Sequence, residues 1–351
     1  MSERGTPQAA SETAASDARR RRWRRFGALA SGVLFAVAIL LLVHILRDLD
    51  MAKVAAALSV TGSRQLLLAL ALTCCSYLLL TGYDALALRQ IGARISYATT
   101  ALASFASYAV SFTLGFPLFT AATVRFWIYS PAGLSGAGIA NLTIIAGITF
   151  WLGMGLVLAL GLIGQAGALA EVNHLPGAAN RLIGLALLVV VLLYLVWVSL
   201  KPRAVVVQKW RLLLPSFKVS LGQIILGALD VCCAGGVLYM LLPHGHGIVF
   251  SSFIAVYVFA CLLGIASHAP GGLGVFEATL LVAWPTQSRE GLLSALLLYR
   301  LFYYLLPFVF ALALLGLREV IRHARLFRAH SDAPVQETVQ PVAEPDQVSQ
   351  P

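Results

Sequence analysis

The sequence is short of charge. Asp, Glu, Lys and Arg make up 11% of its 351 residues, where a soluble domain carries about 25%. Apolar residues make up 59%. That shortage excludes a soluble globular enzyme and a disordered regulator. It also excludes a β-barrel, whose alternating strands keep mean hydropathy low; here the mean hydropathy is +0.85. Cysteine is scarce too. Cys74, Cys75, Cys232, Cys233 and Cys261 all lie inside apolar stretches, with no CxxC and no His/Cys cluster at metal spacing. Neither a disulfide framework nor a metal site is expected, and no cofactor is implied. No Ser/His/Asp or Cys/His set suggests a nucleophile. Hydroxyls and Asn141 within apolar runs are expected to bond to helices instead.

What is abundant is long apolar runs. A spanning helix needs roughly 20 apolar residues, and the runs are Phe26–Leu46, Gln65–Leu88, Ile95–Phe116, Ile139–Ile163, Leu182–Leu200, Val219–Leu242, Ile248–Ser267 and Leu292–Leu317. The expected fold is an all-α polytopic membrane protein with about eight transmembrane helices. Residues 1–25 read as a disordered, basic N-terminus, 26–320 as the membrane domain, and 321–351 as a basic and then disordered tail.

The net charge is +10, and its placement decides its meaning. Arg19, Arg20, Arg21, Arg22, Arg24 and Arg25 precede the first run, and Arg318, Arg322, Arg325 and Arg328 follow the last. Basic residues beside spans are retained in the cytoplasm, so this charge sets topology and does not mark a nucleic-acid partner. The first run is too long for a typical signal peptide and reads as a retained anchor with a cytoplasmic N-terminus.

Two apolar segments are left over. Pro117–Ser135 and Ala269–Pro285 each begin at a helix breaker, the mark of half-helices or re-entrant elements. Lys201, Arg203, Lys209, Arg211 and Lys218 make the loop after the fifth run basic and therefore cytoplasmic. Five crossings from a cytoplasmic N-terminus would leave it outside, which an extra crossing in each half corrects; the chain then has either eight spans plus two re-entrant elements or nearer ten crossings. The two segments are the candidates. They also sit at matching places in Gln65–Ser135 and Lys218–Pro285, each of which has an Asp, a further helix and then a Pro-started segment with a charge. This is the pattern of an inverted repeat.

Charge inside a bilayer costs about 2.5–3.5 kcal/mol per residue. Asp84, Arg125, Asp230, Glu277 and Arg300 nevertheless fall inside the apolar segments, and the simplest arrangement points all five into one polar cavity. Arg suits phosphate; a carboxylate suits an ammonium group or a proton. A buried ion-pair network that only pins helices together is the structural alternative. In Ala269–Glu277, Pro270 with Gly271, Gly272 and Gly274 breaks one helix and lets another begin near Val275, whose N-terminus would attract an anion. Gly115-Phe116-Pro117 is the first-half counterpart. At helical spacing Arg300, Tyr303 and Tyr304 share a face. His268, before the Pro-Gly-Gly turn, is a candidate for gating or proton transfer.

The stretches from Tyr83 to Phe116, Thr120 to Ser135 and Leu226 to Pro243, with APGGLGVFEATLL and LLLYRLFYYLLP, together resemble the transmembrane region of the lysylphosphatidylglycerol synthetase family. The likeness is to the flippase half of its bifunctional members, the multiple peptide resistance factors. The resemblance implies a bacterial inner-membrane protein that moves an aminoacylated phospholipid between leaflets and so protects against cationic peptides. It implies that the polar residues are Asp84, Arg125, Asp230, Glu277 and Arg300, with Gly271, Gly272, Gly274, Tyr303 and Tyr304 beside them. Bifunctional members continue into more spans and a cytosolic transferase domain, whereas this chain ends in a polar tail, so it is expected not to be an enzyme. The expected partners are a phospholipid, a separate lipid synthetase or transferase, and a second copy in a homodimer. The alternative is a non-transporting membrane subunit that anchors or regulates a separate synthetase or glycosyltransferase; a third reading, an intramembrane lipid-modifying enzyme, lacks a visible catalytic set.

Overall fold

A computed structural model describes residues 32–47, 50–115, 117–200, 204–207, 210–213, 215–268, 272–285 and 287–331. The N-terminal arginine cluster, Phe116, Lys201, Arg203, Lys209, the segment 269–271 with Gly271, and residues 332–351 lie outside them. The chain divides into two units, Met1–Leu312 and Ala313–Pro351.

The described chain is helical throughout except for one short antiparallel strand pair, Ala204–Val207 with Trp210–Leu213, in the basic loop. The helices are α1 (Gly32–Arg47), α2 (Met51–Val60), α3 (Ser63–Gln90), α4 (Tyr97–Leu114), α5 (Pro117–Tyr129), α6 (Gly136–Gly164), α7 (Ala166–Asn173), α8 (Gly177–Leu200), α9 (Phe217–Leu241), α10 (Phe250–Ala266), α11 (Val275–Ala283), α12 (Arg289–Tyr299) and α13 (Leu306–Ser331). A π-helical segment, Arg300–Leu305, joins α12 to α13. Every one of the eight apolar runs carries a helix. Five helical stretches are by themselves long and apolar enough to cross a membrane: Ser63–Gln90, Gly136–Gly164, Gly177–Leu200, Phe217–Leu241 and Arg289–Arg322. α1 and α2 are bent by 72° at the Asp50 N-cap, where Asp50 Oδ1 accepts the Ala52 and Lys53 amides. The last helix continues through the basic stretch as far as Ser331.

The centre of the first unit is the antiparallel pair α3 and α9. Gln65 Nε2, at the start of α3, donates to the carbonyls of Met240 and Leu242 at the end of α9, both at 2.9 Å. Ser76 meets Asp230 halfway along. Toward the other end Gly82 lies under Leu226. Each of these helices is followed by a hairpin. On α4, Ser104 Oγ donates to the Leu80 carbonyl (2.7 Å) and Tyr97 OH lies 2.8 Å from Thr81 Oγ1. The chain reverses at Gly115 (φ 80°), and α5 returns until Tyr129 reaches Asp84, near where α4 began. On the other side α10 reverses through Gly272 (φ 67°), which lies against Gly264. α11 then returns until Trp284 stacks on Phe253 (5.3 Å) and Gln287 Nε2 donates to the His246 carbonyl (2.9 Å). α3 and α9, the first helices of the two helix-plus-hairpin stretches, thus run in opposite directions.

The short helices are short in absolute terms. At 1.5 Å per residue, the 13 residues of α5 span about 20 Å and the 9 of α11 about 14 Å, against roughly 30 Å of hydrocarbon. They are half-helices packed beside full-length neighbours.

Small residues bring the remaining helices together, as is usual where lipid supplies no hydrophobic drive. Gly153 of α6 lies directly on the backbone of Gly227 in α9, and Gly161 of α6 on Ala255 of α10. α8 leaves Leu182, Val190, Leu193 and Val196 exposed, as a helix at the lipid boundary does. The cysteines are free, with Cys75 and Cys233 in contact across α3 and α9 (3.7 Å).

Candidate functional site

The five intramembrane charges are divided by their direct partners. They form three groups. The first is closed. Arg125 on α5 donates Nε (3.1 Å) and Nη2 (2.7 Å) to the two oxygens of Asp84 on α3, and Tyr129 OH adds a third bond at 2.9 Å. The Arg125 guanidinium also lies over the Tyr108 ring, 5.0 Å from its centroid. Asp84 is 0% exposed and Arg125 2%. The bidentate fork and the tyrosine together satisfy both charges at a depth where either one alone would be costly.

The second group holds a carboxylate with no cation. Asp230 on α9 is 3% exposed. It accepts Ser76 Oγ at 2.5 Å and Tyr83 OH at 3.0 Å, both from α3. Ser76 Oγ is also 2.9 Å from Tyr303 OH. Among the described residues Asp230 has no ion pair.

The third group is open. Arg300 Nε donates to Glu277 Oε1 at 2.6 Å, and Nη2 bonds to the same oxygen. Arg300 is 26% exposed and Glu277 19%, far more than the Asp84–Arg125 pair. Glu277 Oε2 accepts the Gly274 amide (2.8 Å) at the start of α11. The N-terminus of α11 is thus already capped by a carboxylate of its own first turn. Gly272 and Gly274, both at positive φ, allow the reversal; Gly271 lies outside the described residues.

The expectation that Arg300, Tyr303 and Tyr304 share one face holds for Arg300 with Tyr304 and not for Tyr303. Their segment is π-helical, and its wider turn separates positions that a regular helix would align. Arg300 lies over Tyr304 (5.5 Å to the centroid), while Tyr303 turns toward Ser76. The Tyr303 carbonyl accepts Tyr77 OH at 3.2 Å. π-Turns inside helices recur at functional sites, and this one directs two adjacent tyrosines to two different charge groups.

Tyrosines join the three groups. The Tyr108 ring meets Tyr83 at 5.9 Å, Tyr303 meets Tyr304 at 5.6 Å, and Tyr299 stacks on Tyr303 at 5.4 Å while its OH bonds to Tyr257 OH (2.7 Å). Sequence reasoning named Tyr303 and Tyr304 but missed Ser76, Tyr77, Tyr83, Tyr108 and Tyr257. A signal existed: Ser76 and Tyr83 stand seven residues apart on the helix that carries Asp84, hence on one face. Outside the spans, burial lowers the His246 pKa, and its Nδ1 accepts the Ile248 amide. His268 holds a positive φ of 55° and bonds to the Ala266 carbonyl.

Residues 29–311 match the family described as the lysylphosphatidylglycerol synthase TM region. The chain is 34% identical over 264 residues to the uncharacterized protein slr0712 of Synechocystis, covering 75% of this chain and 82% of that one. It is 29% identical over 317 residues to the inner membrane protein YbhN of Escherichia coli, covering 89% and 98%. A 67-residue stretch is 43% identical to phosphatidylglycerol lysyltransferase of Staphylococcus aureus, covering 18% of this chain and 8% of that enzyme.

Proposed function

We infer, since the chain belongs to the lysylphosphatidylglycerol synthase transmembrane-region family, that it moves an aminoacylated or other polar-headgroup phospholipid between the leaflets of a bacterial inner membrane. The observation that carries this reading is the part-exposed Glu277–Arg300 pair at an interrupted helix. A guanidinium and a carboxylate side by side complement a headgroup that carries both a phosphate and an amine. Half-helices meeting within a membrane are where transporters place such sites. Arg300 takes the phosphate, Glu277 the ammonium, and Tyr304 backs the guanidinium. Arg125 and Asp84 bind lipid only if their closed pair opens, so they act after the first contact. Export of a cationic lipid would lower the outer negative charge and resist cationic peptides. A separate synthetase supplies the lipid. An N-terminus on the cytoplasmic side and a homodimer complete this reading.

The test is leaflet exchange of labelled lysylphosphatidylglycerol in liposomes containing the purified protein. Arg300→Ala and Glu277→Gln should each slow exchange by about tenfold or more, the equivalent of at least about 1.4 kcal/mol. Exchange at the wild-type rate in both variants would remove the site. No exchange by the wild-type protein, together with co-purification of a soluble transferase, would favour an anchoring subunit.

A further inference from the structure

Of the three carboxylates in the apolar segments, Asp84 and Glu277 are each paired with an arginine, and Asp230 has no ion pair among the described residues. Its position makes the difference informative. It stands near the middle of α9, opposite Ser76 near the middle of α3. It therefore lies midway along the antiparallel contact between the two helix-plus-hairpin stretches, where transporters of inverted-repeat design bind their coupling ions.

Burial disfavours the charged form of a carboxylate when no cation offsets it. Its two partners are hydroxyls, which donate to the carboxylate or accept from the carboxylic acid with little rearrangement. We propose that Asp230 is a proton-binding site whose protonation is coupled to the transport reading above. The step is a simple addition: a proton from the aqueous phase on one side bonds to a carboxylate oxygen, and the neutral acid donates to Ser76 Oγ. The Ser76 hydroxyl then turns to Tyr303 OH, 2.9 Å away. On release the carboxyl O–H bond breaks, the proton passes to water on the other side, and the Ser76 hydroxyl donates to the carboxylate again.

The groups around the site fit this role. α3 presents Cys75, Tyr77 and Tyr83; α9 itself carries Cys232 and Cys233; the π segment presents Tyr303; and α4 contributes Tyr108 beyond Tyr83. The nearest charges along the connected side chains, Arg125 and Asp84, neutralise each other. Glu277 and Arg300 lie beyond Tyr304 and do the same. The π segment links Asp230 to the proposed lipid pair: Tyr303 bonds to Ser76, and its neighbour Tyr304 lies under Arg300.

Infrared titration of the purified full-length protein tests proton binding without reference to lipid. The wild-type protein should show a protonated-carboxyl band that responds to pH, and Asp230→Asn should lose it. Ser76→Ala and Tyr83→Phe, which keep the acid and remove one donor each, should shift the frequency of the band. A spectrum unchanged by Asp230→Asn would overturn the proposal even if lipid exchange is normal. In proteoliposomes, wild-type exchange should change at least about tenfold under an imposed pH gradient, whereas a sodium gradient should have no effect. A response to sodium alone would overturn the proton in favour of a metal cation. If no lipid moves but the band behaves as stated, the lipid reading fails and the proton site stands.

Discussion

Arg125 is the bulkiest fully buried side chain among the described residues. An arginine takes that place only where its charge and donors are met, and Asp84, Tyr129 and Tyr108 meet them. Removing one partner of such a pair strands the other, which costs about 3–5 kcal/mol. Arg125→Ala should therefore lower the thermal unfolding midpoint of the detergent-solubilised protein substantially. Arg125→Lys should recover only part of the loss, because an ammonium group cannot reproduce the two-pronged bond. The Asp84→Asn, Arg125→Ala double variant should be less unstable than Arg125→Ala alone, since it leaves no unpaired charge. A double variant no more stable than the single one would show that the pair is not the origin of the cost. The same reasoning separates Arg125 from Arg300. Both lie in apolar segments and both are ion-paired in the structure, but Arg300 is 26% exposed and Arg125 2%.

At the scale of elements, the register of α9 against its neighbours decides which polar groups meet. That register rests on glycine. A Cβ on Gly227 would lie 2.6 Å from the Thr149 carbonyl oxygen and 2.9 Å from Gly153 Cα, so α6 and α9 approach this closely only because neither carries a side chain there. Gly227→Ala should cost about 1–3 kcal/mol by overpacking, measured as a lowered unfolding midpoint. Gly222→Ala, on the same helix, meets only the end of the Leu86 side chain at 3.9 Å and should be close to neutral. Equal midpoints for the two variants would show that the close approach does not hold α9 in register. The π segment is the second element-scale device. It lies inside an ordinary apolar run, and nothing in that run's composition announces it. Yet it sends Tyr303 to the Asp230 group and Tyr304 to Arg300.

At the scale of the whole membrane unit, each half contains a hairpin that descends and returns. The ends of α4 and α5 come together near Asp84, and those of α10 and α11 near Phe253. A hairpin in each half, returning through a short helix of 13 or 9 residues, fits the even number of passes that charge parity asks for. It leads to a topological prediction. Single cysteines at Arg94 and Ala132, introduced into a cysteine-free background, should react with an impermeant reagent from the same side of the membrane. Cysteines at Gly245 and Gln287 should react from the opposite side. Labelling of Arg94 and Ala132 from different sides would rule out the first hairpin.

Much of this was legible in sequence. Hydropathy is a sum over neighbours, and a bilayer penalises charge steeply, so eight apolar runs, two interrupted segments and five misplaced charges stand out without any knowledge of contacts. The breaks at Gly115 and near Val275 follow equally from local backbone chemistry, since glycine and proline act where they stand. Partnership was decided only by the tertiary structure. Whether an acid lies beside an arginine or beside a serine depends on residues 41, 154 or 23 positions away, and hence on antiparallel register, on glycine contacts between helices and on a π turn. Those long-range constraints separate five similar charges into a closed pair, an open pair and one carboxylate with only hydroxyls for company.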